Sequence, residues 1–115
     1  MVEPQRLSPR ARRVLTDPEQ ELLFSMASIW ELTIKIASGK LTPVGSSIRD
    51  IIAMLRKSGV DILPVRVEHL LRLETLPTQH RDPFDRLLIA QALEEDLTIL
   101  TNDAQFRHYP AKLIW

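Results

Sequence analysis

The stretch His80-Arg81-Asp82-Pro83-Phe84-Asp85-Arg86-Leu87-Leu88-Ile89-Ala90-Gln91-Ala92, continued by Leu97-Thr98-Ile99-Leu100-Thr101-Asn102-Asp103, decides how the 115-residue chain is read. Asp82 before Pro83 is an N-cap with proline at the first helical position, where a missing N–H leaves no hydrogen bond unmade. The body that follows, residues 87–90 with Ala92 and Leu93, is apolar nearly all round, as a helix packed deep against a sheet would be. Residues 97–100 are short and apolar enough for a buried strand. A buried helix followed at once by a buried strand points to parallel pairing covered by helices.

The same alternation extends outward. Residues 103–108 read as a helical turn and residues 112–115 as a last strand. Upstream, Ser8-Pro9 opens a short helix that Thr16-Asp17-Pro18 ends, and residues 22–24 form a brief apolar strand. Residues 26–38 place Met26, Ile29, Trp30, Ile34 and Ala37 at helical spacing, with Gly39 as the cap. After a loop at 42–45, Ser46 or Ser47 caps a helix carrying Ile48, Ile51, Ile52 and Leu55 up to Lys57-Ser58-Gly59. Residues 60–65 form a strand with Pro64 at its edge or end, and residues 67–76 a helix stopped by Pro77. The expected class is α/β, a single domain over residues 1–115. In such sheets ligands bind at the carboxyl ends of the strands.

Composition bounds the chemistry. With 44% hydrophobic and 26% charged residues and 15 basic side chains against 15 acidic ones, the chain suits one soluble domain. The absence of cysteine excludes disulfides, thiol catalysis and thiolate metal sites, and suits a reducing compartment. Zero net charge argues against a generally cationic nucleic-acid coat, though a local basic patch around an acidic centre would give the same total. The first residues lack the apolar core of a signal peptide, and no run approaches the roughly 18 apolar residues of a membrane span. A cytoplasmic location with no membrane partner is expected.

Three carboxylates fall where strands give way to helices: Glu31 in Ser28-Ile29-Trp30-Glu31, Asp85, and Asp103. Carboxylates brought to one sheet edge repel one another unless protonated or bridged by a cation, so a cluster there implies a hard divalent metal. Oxygen ligands suit Mg2+ or Mn2+, which activate water and stabilise the leaving oxygen of a phosphodiester. Each acid also fits a structural role. Ser28-x-x-Glu31 and Asp82-x-x-Asp85 resemble capping boxes, and Asp103 can cap its own turn, at around 1 kcal/mol each. Asp82 reads best as an N-cap with a supporting part beside the metal.

The residues SMASIWELTIK (25–35), GKL (39–41), HRDPFDRLLIAQA (80–92) and TND (101–103) closely resemble the PIN-domain proteins of the VapC toxin type, in the same order and over residues 7–115. The resemblance implies a three-layer α/β/α fold with a short parallel sheet. It also implies a Mg2+- or Mn2+-dependent endoribonuclease acting on RNA, the toxin of a toxin–antitoxin pair held inactive by its cognate antitoxin. By motif, Glu31, Asp85 and Asp103 would be the catalytic metal ligands, with Ser25 and Thr101 as polar neighbours. Members of that family begin with a strand ending in aspartate, and no such strand precedes residues 4–8, so the domain reads as N-terminally incomplete and low or absent activity is expected. A truncated reading frame, a decayed copy, or a partner strand, from a second copy in a homodimer among others, would each explain this. The alternative to the enzyme is a degenerate, non-catalytic module that binds an antitoxin or other protein.

Lys35, Arg81 and Arg86 lie beside the acidic residues and could hold RNA phosphates, although solvated charge explains them equally and Glu31–Lys35 is an i, i+4 pair. Trp30 reads as core, because it shares a stripe with Met26 and Ile34. His69, His80 and His108 show no ligand spacing, so zinc is not expected. Arg10, Arg12 and Arg13 read as a solvated helix face.

Overall fold

Short polar side chains begin most of the helices in the computed structural model, which describes residues 7–40, 47–77 and 82–115. Ser8 accepts from the Ala11 N–H at 3.0 Å, and Pro9 opens α1 (Pro9–Thr16). β1 (Leu23–Ser25) runs directly into α2 (Met26–Ala37), where Ser25 accepts from the Ala27 N–H at 3.0 Å. Ser47 and Asp50 form a reciprocal capping box at α3 (Ile48–Lys57), followed by β2 (Asp61–Leu63). At α4 (Val67–Glu74) the Arg66 N–H donates to the ring of His69 instead. Asp82 caps α5 (Pro83–Glu94), which leads to β3 (Thr98–Leu100), a 3₁₀ turn at Ala104–His108, and β4 (Lys112–Ile114). Gly39 and Gly59, with φ of 76° and 79°, take the left-handed conformation that ends α2 and α3.

The elements follow the expected order and the class is α/β. Among the described residues the strands pair as two parallel two-stranded ladders, one in each of the chain's two compact units. β1 pairs with β2, Leu23 opposite Asp61 and Ser25 opposite Leu63; β3 pairs with β4, Thr98 opposite Lys112 and Leu100 opposite Ile114. The strands at 22–24 and 97–100 were expected to be buried, yet Thr98 is exposed and Leu23, Phe24, Ile99 and Leu100 are half-buried. A two-stranded ladder has an open edge on each strand, which leaves the covering incomplete.

The chain divides into two compact units, Met1–Glu21 with Arg66–Trp115, and Leu22–Val65. In the first, α4 packs on α5, and Leu76, Ile89, Ala90, Phe106 and Tyr109 form the core, with Leu88, Ile99 and Leu113 against it. Burying side chains such as Ile89 and Phe106 contributes roughly 1.5–3 kcal/mol each. The Tyr109 hydroxyl donates to the Pro77 carbonyl at 3.3 Å. His69 is fully buried. Its Nδ1 accepts from the Arg66 N–H at 2.9 Å, so the proton sits on Nε2, which donates to Glu95 Oε1 at 2.8 Å. This imidazole ties the start of α4 to the residue that ends α5.

Asp96, just past α5, has a positive φ of 54°, and its carboxylate accepts from Lys112 Nζ on β4 at 2.7 Å. The lysine's hydrogen bond, and then its charge, hold the Asp96 carboxyl below its ordinary value of 3.8. Because the native value is depressed, this pair's contribution is present above pH 3.8 and is lost as pH falls through the native value. Asp96→Asn, which keeps a residue tolerant of that φ, should unfold at lower urea than wild type at neutral pH. The two midpoints should converge in acid. A gap that persists at low pH would refute the ion-pair explanation.

In the second unit, α2 packs on β1 and α3, α3 packs on β2, and Ala27 and Ile51 are buried. Trp30 was expected in the core and is instead 59% exposed, in a row with the exposed Met26 and Ile34. The reason is local: α2 is apolar on nearly every side, with Ile29, Leu32 and Ile36 half-buried beside Ala27, so apolarity does not select which face turns inward. Among the described residues no helix is long and apolar enough to cross a membrane.

Candidate functional site

The carboxyl end of β3 is built by hydrogen bonds that sequence spacing already favours. The Thr101 N–H continues the ladder to the Ile114 carbonyl at 3.0 Å, and Thr101 Oγ1 accepts from the Asp103 N–H at 3.1 Å. Asp103 Oδ1 then accepts from the Gln105 N–H at 2.9 Å and starts the 3₁₀ turn. Asp103 is exposed, and it borders a cavity of about 310 Å³ lined by Thr101, Asn102, Arg107, Ile114 and Trp115. The capping role expected of Asp103 is therefore realised, at the carboxyl end of β3.

On α5 of the same unit the two aspartates part in role. Asp82 Oδ1 accepts from the Phe84 N–H at 2.9 Å and the Asp85 N–H at 3.3 Å, so its carboxylate is the cap. Asp85 lies in the first turn, half-buried, where the helix dipole favours negative charge. Arg86 stands beside it with its side chain drawn back: Nη2 donates to the Leu76 carbonyl at 3.4 Å, and Nε is buried with no partner among the described residues. Its guanidinium is engaged with the backbone instead of standing free in solvent. Arg81 and His80 lie outside the described residues.

Glu31 belongs to the second unit. The capping box expected at Ser28 and Glu31 does not form, because Ser25 caps α2 and the helix is already under way at Ser28. Glu31 is thus mid-helix, its side chain 25% exposed, with Oε2 3.4 Å from Lys35 Nζ. An exposed pair of this kind contributes a few tenths of a kcal/mol. Ser25, buried at the β1–α2 junction, spends its hydroxyl on the cap.

The candidate ligand set is therefore divided, Asp85 and Asp103 on one unit and Glu31 on the other. Within either unit, no three His, Asp or Glu side chains among the described residues gather closely enough to hold a metal ion. The donor chemistry still fits Mg2+ or Mn2+. The donors are carboxylate and hydroxyl oxygens, and Mg2+ is usually held by only one or two carboxylates, with water and phosphate completing its shell. Sequence reasoning passed over Asn102, Arg107 and Trp115. Their one sequence signal is position, in the turn and strand that follow Asp103.

Comparison with known proteins gives two findings. The family model described as PIN domain matches residues 1–112. The fold also matches a chain in the crystal structure of VapBC2 from Rickettsia felis bound to a DNA fragment from their promoter. The TM-score is 0.70 at 18% identity, covering 90% of this chain and 80% of that one. Among curated proteins, no relative matches. Of the three acids expected at strand-to-helix junctions, only Asp103 directly follows a strand, since α5 comes after α4 and Glu31 lies within α2. A family match over residues 1–112 settles the assignment: this chain belongs to the PIN domain family.

Proposed function

We propose that the chain is the toxin of a toxin–antitoxin pair, a divalent-metal-dependent endoribonuclease acting in the cytoplasm. The observation that carries this reading is Asp103, exposed at the carboxyl end of β3, fixed by Thr101 and bordering the cavity. Asp85 and, through the motif resemblance, Glu31 are the further carboxylates proposed as ligands of Mg2+ or Mn2+. The ion supplies Lewis acidity toward a phosphodiester and a lowered pKa for water. Thr101 keeps the Asp103 backbone in place, Asp82 holds the first turn of α5 and with it Asp85, and Ser25 starts the helix that carries Glu31. Lys35 and Arg81 are proposed to hold RNA phosphates, contacts that position substrate without reading its sequence, whereas the Arg86 guanidinium, drawn back to the Leu76 carbonyl, is not.

Exposed apolar side chains favour a protein partner as well. Met26, Trp30 and Ile34 line α2 in one unit, and Val67, Leu70 and Leu71 line α4 in the other, each at least 45% exposed. An antitoxin or a second copy of the chain would cover them. The same rows support the second reading, a module that binds partners without cutting RNA.

Incubation with labelled RNA separates the two. Metal-dependent cleavage is expected with Mg2+ or Mn2+, low from the 115-residue chain, with none in excess EDTA and recovery when Mg2+ is restored above the chelator. Absence of cleavage with either ion, both from the 115-residue chain and from a version extended upstream in its reading frame, would overturn the nuclease in favour of the binding module.

A further inference from the structure

We propose that Tyr109 is a positioning residue for the metal site. Its hydroxyl, donating to the Pro77 carbonyl, sets the turn headed by Asp103 against the end of α4, the same end to which Arg86 ties the helix bearing Asp85. This role rests on the nuclease reading and names what keeps two of its carboxylates in register.

The chain path creates the need for such a tie. Asp85 lies in the first turn of α5 and Asp103 follows β3, which returns along the helix with Ile99 packed on the cluster that contains Ile89 and Ala90. The covalent connection between the two elements, residues 95–97, is at the opposite end of α5. At 1.5 Å per residue, Glu94 is about 14 Å along the helix from Asp85, too far for the connection to fix the end that carries the acids.

The Leu76–Pro77 segment supplies the missing constraint. The last carbonyls of a helix have no partner within it, and two successive carbonyls just past α4 are taken by side chains from different elements. Leu76 accepts from Nη2 of Arg86, the residue after Asp85, at 3.4 Å. Pro77 accepts at 3.3 Å from Tyr109, which directly follows the turn that Asp103 starts. The proline ring fixes φ there and stiffens the anchor. Leu76, Phe106 and Tyr109 also share the buried cluster with Ile89 and Ala90, so packing backs both hydrogen bonds.

Mn2+ binding separates position from stability. It is followed without RNA, on the 115-residue protein, by the EPR signal of the free ion, and the site is defined as the binding that Asp85→Asn removes. Tyr109→Phe keeps the buried ring and deletes the hydroxyl. It should weaken that binding about five-fold, less than the roughly 10–100-fold lost when a group bonded directly to a metal ligand is removed. Asp96→Asn, which breaks the pair with Lys112 at the far end of α5, is the stability control and should leave Mn2+ affinity within about two-fold. Urea midpoints are measured for every variant. Arg86→Gln releases the other tie and should weaken binding in the same direction, and it decides the matter if Tyr109→Phe fails to fold.

Unchanged Mn2+ affinity in Tyr109→Phe overturns the proposal. So does a weakening that Asp96→Asn matches at an equal loss of urea midpoint, which would make Tyr109 a stabilising residue alone. In both cases Mg2+-dependent cleavage by the same wild-type preparation would show the nuclease reading intact. If wild type shows no Mn2+ binding that Asp85→Asn removes, the proposal falls together with the ligand role of Asp85.

Discussion

Asp85→Asn should lower Mg2+-dependent RNA cleavage by roughly 100-fold or more, the scale of loss when a group that stabilises developing charge in a dry site is removed. The substitution is nearly isosteric and deletes one negative charge. It leaves the cap of α5 untouched, since Asp82 accepts from the backbone N–H groups of Phe84 and Asp85, and the substitution alters neither of them. Asp82→Ala is the instructive contrast. It removes the cap and should cost about 1 kcal/mol in urea unfolding. Mg2+ should raise the melting temperature of wild type and not of Asp85→Asn, because only a bound ion shifts the folding equilibrium. Wild-type cleavage by Asp85→Asn would remove Asp85 from the metal site.

His69→Leu should destabilise the protein by about 2–4 kcal/mol, a large share of the roughly 5–15 kcal/mol that holds a domain of this size folded. Leucine fills much of the space but makes neither hydrogen bond. The Arg66 N–H loses its acceptor, and Glu95 loses a donor held at 2.8 Å to a side chain that has no exposure at all. Gln91, itself buried, also has its Nε2 within 3.4 Å of the ring and must find another arrangement. Glu95→Gln keeps an acceptor for the Nε2 proton and should cost under about 1 kcal/mol, because Glu95 is partly exposed. The urea midpoint should fall in His69→Leu with the slope unchanged. A loss below about 1 kcal/mol would show that this imidazole is packing alone.

Much of the architecture was legible because it is written in local chemistry. Ser8-Pro9, Ser47-x-x-Asp50 and Asp82-Pro83 name helix starts through hydrogen bonds spanning two or three residues, and each starts a helix as expected. The strand read over residues 60–65 closes at Leu63 because Pro64 has no N–H for the ladder. The role of Trp30 was not legible. A helix apolar on nearly every side carries little signal for its inward face, and the outcome depends on what packs against it. His69 was equally silent: one of its partners lies three residues before it and the other 26 residues after it.

By itself, the order of residues determined the helix and strand succession, the α/β class and the cap that places Asp103 at the end of β3, because caps, prolines and apolar runs act over a few neighbouring positions. Tertiary structure alone decided the rest. Parallel pairing of β3 with β4 brings Ile114 and Trp115 to the turn that bears Asp103, and packing of α4 on α5 buries His69 against Glu95. Such juxtapositions arise from ladders and cores that join distant segments, and no spacing along the chain encodes them.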